Sequence, residues 1–224
     1  MLEFTILMPC LNEERSLAFC INEAKSFISN HNLKAEILIA DNGSCDSSIE
    51  IARQNGARVI SVHEKGYGSA LIAGIRAAKG KYIIMGDSDG SYDFGDLKPF
   101  IDALRSGHSL VVGNRFKGGI EPRAMPLLHH LGAPALSTIA RWKFRCPVRD
   151  FHCGLRAFRK DDALRLGLQC TGMEFATEII AAFSMSGAKI CEVPTVLRKD
   201  LRGKKSHLRT FRDGLRHLKF IMSV

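Results

Sequence analysis

An α/β architecture, a mostly parallel sheet flanked by helices, is what this sequence predicts, on three observations. Strand-like apolar runs and helix-period segments alternate from the N-terminus through residue 113, the pattern of parallel strands joined by crossover helices. Each of the first five strand-like runs ends in a polar cluster. That puts polar side chains outside the carboxyl ends of the strands, where open α/β sheets bind ligands. The composition is that of a globular protein, with 224 residues, 46% hydrophobic and 25% charged, enough for one large domain or one domain with an extension.

The elements follow in order. Residues 4–8 are a β-type run closed by Pro9, which favours extended backbone before it. Leu17, Cys20, Ile21, Ala24, Phe27 and Ile28 share one helical face. A second strand over 36–40 is stopped by Asp41-Asn42-Gly43-Ser44, and a short helix over 47–54 leads to a third strand over 57–62. Residues 68–78 read as a helix with Leu71, Ile72, Ile75 and Ala78 inward; a buried strand over 82–85, a helix near 97–105 and a strand over 110–112 come next. Gly118, Gly119, Pro122 and Pro126 make 114–131 read as a long loop, a candidate lid. Beyond it the sequence predicts a helix over 131–142, a short strand within 150–158, a helix over 173–185 and a strand over 189–193 stopped by Pro194.

The rim these strands share carries the chemistry. Asn12 and Glu13 follow the first strand, Asp41 the second, Lys65-Gly66-Tyr67-Gly68 the third, Asp87-Ser88-Asp89 the fourth and Gly113-Asn114-Arg115 the fifth. Residues i and i+2 of an extended segment point the same way, so Asp87 and Asp89 form a carboxylate pair at a strand tip. Two hard oxygen ligands suit Mg²⁺ or Mn²⁺ and leave room for substrate phosphates. Gly66-Tyr67-Gly68 opens a helix after a strand, but Leu71 stands at the third small position, so the dinucleotide pattern fails and the segment reads as a tight turn. Adjacent residues of a strand face opposite ways, which argues against His152 and Cys153 as a nucleophilic pair.

The net charge of +9 points to an anionic partner: nucleic acid, an anionic membrane surface or a phosphorylated substrate. A nucleic-acid binder is disfavoured. The chain has one Trp and three Tyr, and its basic residues concentrate at the C-terminus, away from aromatic platforms. Seven cysteines without Cys-x-x-Cys spacing read as reduced thiols of a cytoplasmic protein. The N-terminus shows no signal-peptide pattern, and no run is apolar and long enough to span a bilayer. Residues 200–224 form a distinct basic tail. Leu208, Phe211, Leu215, Leu218 and Met222 fall on one helical stripe, with Arg209, Arg212, Arg216 and Lys219 beside it. Such a helix either lies on an anionic membrane surface or packs its stripe on the domain.

Seven pieces in order resemble family 2 glycosyltransferases, within them the polyprenyl-phosphate group that includes dolichol-phosphate mannose and glucose synthases. They are Met8-Pro9-Cys10-Leu11-Asn12-Glu13, Asp41-Asn42-Gly43-Ser44-x-Asp46, Gly66-Tyr67-Gly68, Asp87-Ser88-Asp89, Gly113-Asn114-Arg115, Asp150-x-x-Cys153-Gly154-Leu155-Arg156 and Glu192-Val193-Pro194. The resemblance implies a GT-A fold over residues 1–199, a divalent metal (Mg²⁺ or Mn²⁺) on Asp87 and Asp89, and a nucleotide-sugar donor held by Pro9, Asn12, Glu13, Asp41, Gly66, Gly68, Asp87, Ser88 and Asp89. It implies inverting transfer of a hexose from UDP-glucose or GDP-mannose to a polyprenyl phosphate. A polysaccharide or other acceptor is the alternative. Asn42 stands where the family often has a second Asp. Asp150 and Arg115 are the catalytic candidates. Arg123, Arg198, Arg202 and Lys205 are candidates for donor and acceptor phosphates, with Arg198 an alternative to Arg202 in the register of a basic closing loop. Members commonly carry membrane helices after the catalytic domain, so this chain is expected at the inner face of the membrane, held by its tail or by a span that begins near Phe220.

Overall fold

The computed structural model describes residues 1–203 and 210–224, the side chains of Thr210 and Phe211 excepted. Seven strands form one sheet: β1 Phe4–Cys10, β2 Ala35–Asp41, β3 Arg58–Ser61, β4 Tyr82–Met85, β5 Leu110–Asn114, β6 Arg156–Arg159 and β7 Ile190–Pro194, in the order β3-β2-β1-β4-β6-β5-β7. Only β6 runs against the others, between β4 and β5. Leu7 of β1 sits in register with Leu38 on one side and Met85 on the other. All four residues of β4 are buried, as are all but one of β1, because helices cover both faces of a parallel sheet. The strand order reverses between β1 and β4. The carboxyl ends there diverge into a crevice, the expected ligand position in an open α/β sheet.

The helices are α1 Leu17–Asn30, α2 Ser48–Gln54, α3 Tyr67–Ala77, α4 Lys98–Arg105, α5 Arg115–Gly118, α6 Leu127–Phe144, α7 Lys160–Arg165, α8 Phe175–Met185 and α9 Thr210–Ser223. Through residue 113 the elements match the sequence reading to within a residue or two. Beyond it, two expectations are corrected. The loop expected over 114–131 is broken up by α5 and by an early start to α6. The Asn114 side chain caps α5 by accepting from Lys117 N (2.9 Å), and α6 starts directly after Pro126, since proline is well tolerated where a helix begins. The cysteines are all free thiols.

The second correction concerns the tail. Helix α9 packs against α6 and α8, but through Asp213, His217 and Ile221, not through the apolar stripe. Leu215 and Met222 of that stripe face solvent; Leu208 lies outside the described residues. The sequence period could not locate this face because two of its three residues are polar. His217 Nδ1 meets Thr177 Oγ1 at 2.7 Å, and its ring stands edge-on to His152 with centroids 4.6 Å apart.

Burial pushes the His217 imidazole down to about 4, against the opposing pull of the Glu174 and Asp213 carboxylates and with smaller help from the Arg156 and Arg216 guanidinium groups. The adjacent His152 shifts the same way, again chiefly by burial. An unfolded histidine titrates near about 6.5, so between that pH and about 4 the unfolded state binds more protons and stability falls as pH falls. Hydrogen exchange corrected for intrinsic rates should show α9 opening more readily at pH 5 than at pH 7.5. His217→Gln should reduce that slope, and an unaltered slope in the variant would rule out His217 as its origin.

Candidate active site

The crevice at the carboxyl ends of β1 and β4 holds a cavity of about 430 Å³, within the roughly 300–1,000 Å³ range of small-molecule sites. Pro9, Leu11 and Glu13 line it from β1, Asn42 from β2, Lys65, Gly66 and Tyr67 from the start of α3, and Asp87, Ser88 and Asp89 from β4. The loops are cross-braced. Ser88 Oγ donates to Pro9 O (2.7 Å), and Ser16 Oγ donates to Ser88 O (2.8 Å). Asn42 Nδ2 donates to Glu64 O (2.7 Å), while its Oδ1 accepts from Gly66 N (2.8 Å). An aspartate at this position could not make the first of these bonds, which accounts for the amide.

Asp87 and Asp89 do share one rim. Asp87 Oδ1 accepts from Tyr67 OH at 3.0 Å. Burial, then the Asp89 charge, lift the Asp87 carboxyl to about 6. Behind it, Gly154 is backed against the Asp87 carboxylate, with no room for a Cβ, and its N–H is held by Tyr92 OH (2.7 Å). Asp89 Oδ2 is met by Arg202 Nη2 at 2.9 Å, and Arg202 Nη1 lies 3.6 Å from Glu13 Oε1. The basic loop is laid directly over the acids, with Arg198 N on Ser91 O (2.9 Å) and Leu201 N on Asp89 O (2.8 Å).

The remaining predicted residues sit at varied distances from the chemistry. Glu13 is buried, and its carboxylate accepts from Ser16 Oγ (3.2 Å). Asn12, at φ 57°, accepts from Cys45 N (2.7 Å), and Asp41 accepts from Gly43 N (3.0 Å) and Ser44 N. Both shape the rim but do not line the cavity. Gly66, at φ 136°, and Gly68 lie against the carbonyls of Thr171 and Cys170, so a Cβ at either would strike backbone. Arg198 pairs with Glu23 (2.7 Å) and Asp93. Arg123 is exposed in the loop before α6, and Lys205 lies outside the described residues. Asp150 is fully buried and takes Arg115 Nε and Nη2 at 2.8 Å each and Arg115 N at 3.1 Å. The pair is bidentate and lies off the cavity wall.

The family profile for "Glycosyl transferase family 2" matches residues 5–167, which spans β1 through α7 and includes Glu13, Asn42, Asp87 and Asp89 of the cavity wall. The chain belongs to glycosyl transferase family 2. Relatives of this family 2 chain include the low-salt glycan biosynthesis hexosyltransferase Agl6 of Haloferax volcanii, 37% identical over 97% of this chain and 52% of its own length. The dolichyl-phosphate hexose transferase of the same organism is 30% identical over 99% of this chain and 93% of its own. The dolichol-phosphate mannosyltransferase of Pyrococcus furiosus is 27% identical over 99% and 64%. This chain thus spans about half the length of Agl6. Among solved structures, glucosyl-3-phosphoglycerate synthase of Mycobacterium tuberculosis, with Mn²⁺, UDP and glucosyl-3-phosphoglycerate, superposes with a TM-score of 0.76 at 19% identity, over 99% of this chain and 79% of that one. This family 2 chain therefore has the GT-A fold.

The donor set suits a divalent ion. Among the described residues no three His, Cys, Asp or Glu side chains cluster as ready ligands. Asp87 and Asp89, two carboxylates on one rim with the Arg202 guanidinium as counter-charge, could supply the protein's part of such a site, with substrate oxygens as further ligands. Sequence reasoning placed Lys65 on the rim, and Tyr67 there only as part of a turn, but it did not bring Gly172 and Met173 before α8, or Arg212, Asp213 and Arg216 of α9, to the cavity. Tertiary packing alone brings those five to the wall.

Proposed function

We propose that this glycosyltransferase moves a hexose from a nucleoside diphosphate sugar, UDP-glucose or GDP-mannose, to a polyprenyl phosphate, with inversion. The observation that carries the reading is the carboxylate pair at the β1/β4 switch point, roofed by the Arg202 loop, together with relatives named for dolichyl phosphate across nearly the whole chain. Pro9, Leu11, Asn42 and Lys65 wall the nucleoside end. Asp87 and Asp89 would hold Mg²⁺ or Mn²⁺, which neutralises charge on the departing diphosphate when bound. Arg202 moves from Asp89 to phosphate oxygens as donor enters, and Lys205, three residues on in the sequence, is a second candidate for those oxygens. A lipid phosphate, with a second pKa near about 6, is largely a dianion at neutral pH and needs no general base. Asp150 accordingly serves by holding Arg115 charged and in place, and Arg123 and Arg198 flank the entry for phosphates. Asn12, Asp41, Gly66, Gly68 and Ser88 shape the donor's seat.

The test is to incubate the protein with labelled UDP-glucose or GDP-mannose, Mn²⁺ and detergent-dispersed polyprenyl phosphate. A chloroform-soluble labelled product is expected. Label found only in polymer or in water-soluble products would overturn the acceptor assignment.

The acceptor's lipid also calls for a membrane partner, on the inner face of the membrane. No helix among the described residues is long and apolar enough to cross a bilayer. Helix α6, however, exposes Leu127 (80%), Leu128, Leu131 and Trp142 (86%), and α9 exposes Leu215 and Met222. Lys143, Arg145, Arg212 and Lys219 are exposed on the same two helices. Apolar residues set among cations suit an anionic interface. Binding to vesicles containing anionic lipid should weaken about tenfold in Trp142→Ser/Leu131→Ser and should fall with salt. Equal affinity in the double variant would remove α6 from the membrane contact.

A further inference from the structure

The cavity wall has two parts of different origin. Pro9, Asn42, Lys65, Asp87 and Asp89 lie within the family's shared segment, which ends at residue 167. Gly172, Met173, Arg202, Arg212, Asp213 and Arg216 lie beyond it, yet line the same cavity. In the proposed function the acid pair and Arg202 take the diphosphate, and Pro9, Leu11, Asn42 and Lys65 take the nucleoside. That leaves Gly172, Met173 and the α9 residues as the wall for the sugar.

The second wall is built for hydroxyl groups. Arg216 lies over Gly172, so closely that a Cβ there would strike the guanidinium. Glu174 Oε1 holds Arg216 Nη2 at 2.8 Å and also receives Gly172 N at 3.3 Å. The other guanidinium N–H groups of Arg216 have no partner among the described residues. The side chain is 40% exposed, while Glu174 is 13% exposed, so a buried carboxylate fixes a guanidinium that still faces the cavity. Glu174 neutralises Arg216, and among the described residues Arg212 and Asp213 add one charge of each sign, so this wall carries equal numbers of acids and bases. Its spare guanidinium N–H groups suit neutral hydrogen-bond acceptors.

We infer that the C-terminal helix reads the donor's sugar, with Arg216 donating to hydroxyl oxygens of an uncharged hexose and Glu174 acting as its positioning residue. The inference rests on the transferase reading of the cavity and assigns α9 a part in donor selection separate from any membrane contact of its exposed face.

The test is calorimetric titration of the full chain with Mn²⁺ and, in turn, UDP, GDP, UDP-glucose, GDP-mannose and UDP-glucuronic acid. For whichever base binds, Arg216→Met should leave nucleoside diphosphate affinity within about twofold and weaken nucleotide-hexose affinity about tenfold, the cost of a hydrogen bond to a charged group. Glu174→Gln, which keeps the shape and loosens the guanidinium, should lose about threefold on the hexose nucleotide alone, and Arg216→Lys should fall between. In the wild type the glucuronic acid nucleotide should bind no tighter than the glucose one. Unchanged hexose-nucleotide affinity in both Arg216→Met and Glu174→Gln would overturn the inference. So would equal losses for nucleoside diphosphate and nucleotide sugar, which would make the pair a scaffold. If the wild type bound neither UDP nor GDP, the transferase reading of the cavity would itself fall; binding of either by all variants alike sinks only the role of α9.

Discussion

Asp89→Ala should abolish metal-dependent sugar transfer, by at least about 100- to 1,000-fold in kcat, while leaving the protein folded. The size follows from removing one preorganised charge contact at a site where charge develops on the leaving group. The fold survives because the Asp89 side chain has few ties: Oδ1 accepts from Ser91 N (2.9 Å) and Oδ2 pairs with Arg202. Without its partner, Arg202 retains Asp200 and Glu13 within 3.6 Å, so no buried cation is left without a carboxylate. A loss of about 1–2 kcal/mol would lower the melting temperature by a few degrees in a domain of this size. The control is Arg202→Ala, which removes the same ion pair but spares both acids. Metal binding should persist there, and donor affinity should drop. Turnover in Asp89→Ala equal to wild type at saturating Mn²⁺ would remove the metal site from the mechanism. Loss of turnover with a collapsed melting curve would instead make Asp89 structural.

The acid pair could be read from sequence because it depends on local rules alone. A four-residue buried strand, followed at once by a turn over Ser88 and Asp89 and a glycine at φ 83°, brings both acids to the crevice, although the turn replaces the extended i, i+2 alternation expected there. The sheet was legible for the same reason. Runs such as Ile37 to Ala40 are buried on both faces, so they are apolar throughout and stand out against the helical segments. What stayed hidden depends on contacts between distant segments. Tyr67 reaches Asp87 across 20 residues, and Gly154 backs the same carboxylate from the far side of the fold. The face of α9 that packs is marked by an aspartate and a histidine, which no hydrophobic period would select. Asn42 shows the opposite case. Its departure from the family's acid is visible in sequence, but its reason, a donor to the carbonyls of Val62 and Glu64, is visible only in three dimensions.

Asp150→Ala should be the most destabilising single change in the site. The carboxylate is fully buried, and Arg115 is 8% exposed and spends three donors on it. The same segment is anchored from the other side, where Glu192 Oε1 accepts from Asp150 N (3.0 Å) and Arg149 N (2.6 Å). Truncation strands a buried cation, which costs about 3–5 kcal/mol, and the melting temperature should fall by roughly 6–20 °C. Asp150→Asn keeps the volume and one acceptor but cannot neutralise the guanidinium, so it should lie between Ala and wild type. Combining Asp150→Leu with Arg115→Met should recover part of the loss, since apolar groups of similar shape often replace a buried pair at little cost. Kinetics separates the two roles open to this residue. A carboxylate that works by holding Arg115 loses stability and activity together, and activity returns in step with stability among the variants. A proton acceptor behaves otherwise. Asp150→Asn would then lose the acid limb of its pH–rate profile and fall by about 100-fold or more in kcat, out of proportion to its partial loss of stability. With three N–H donors from one arginine already filling the carboxylate, the first pattern is the expected one.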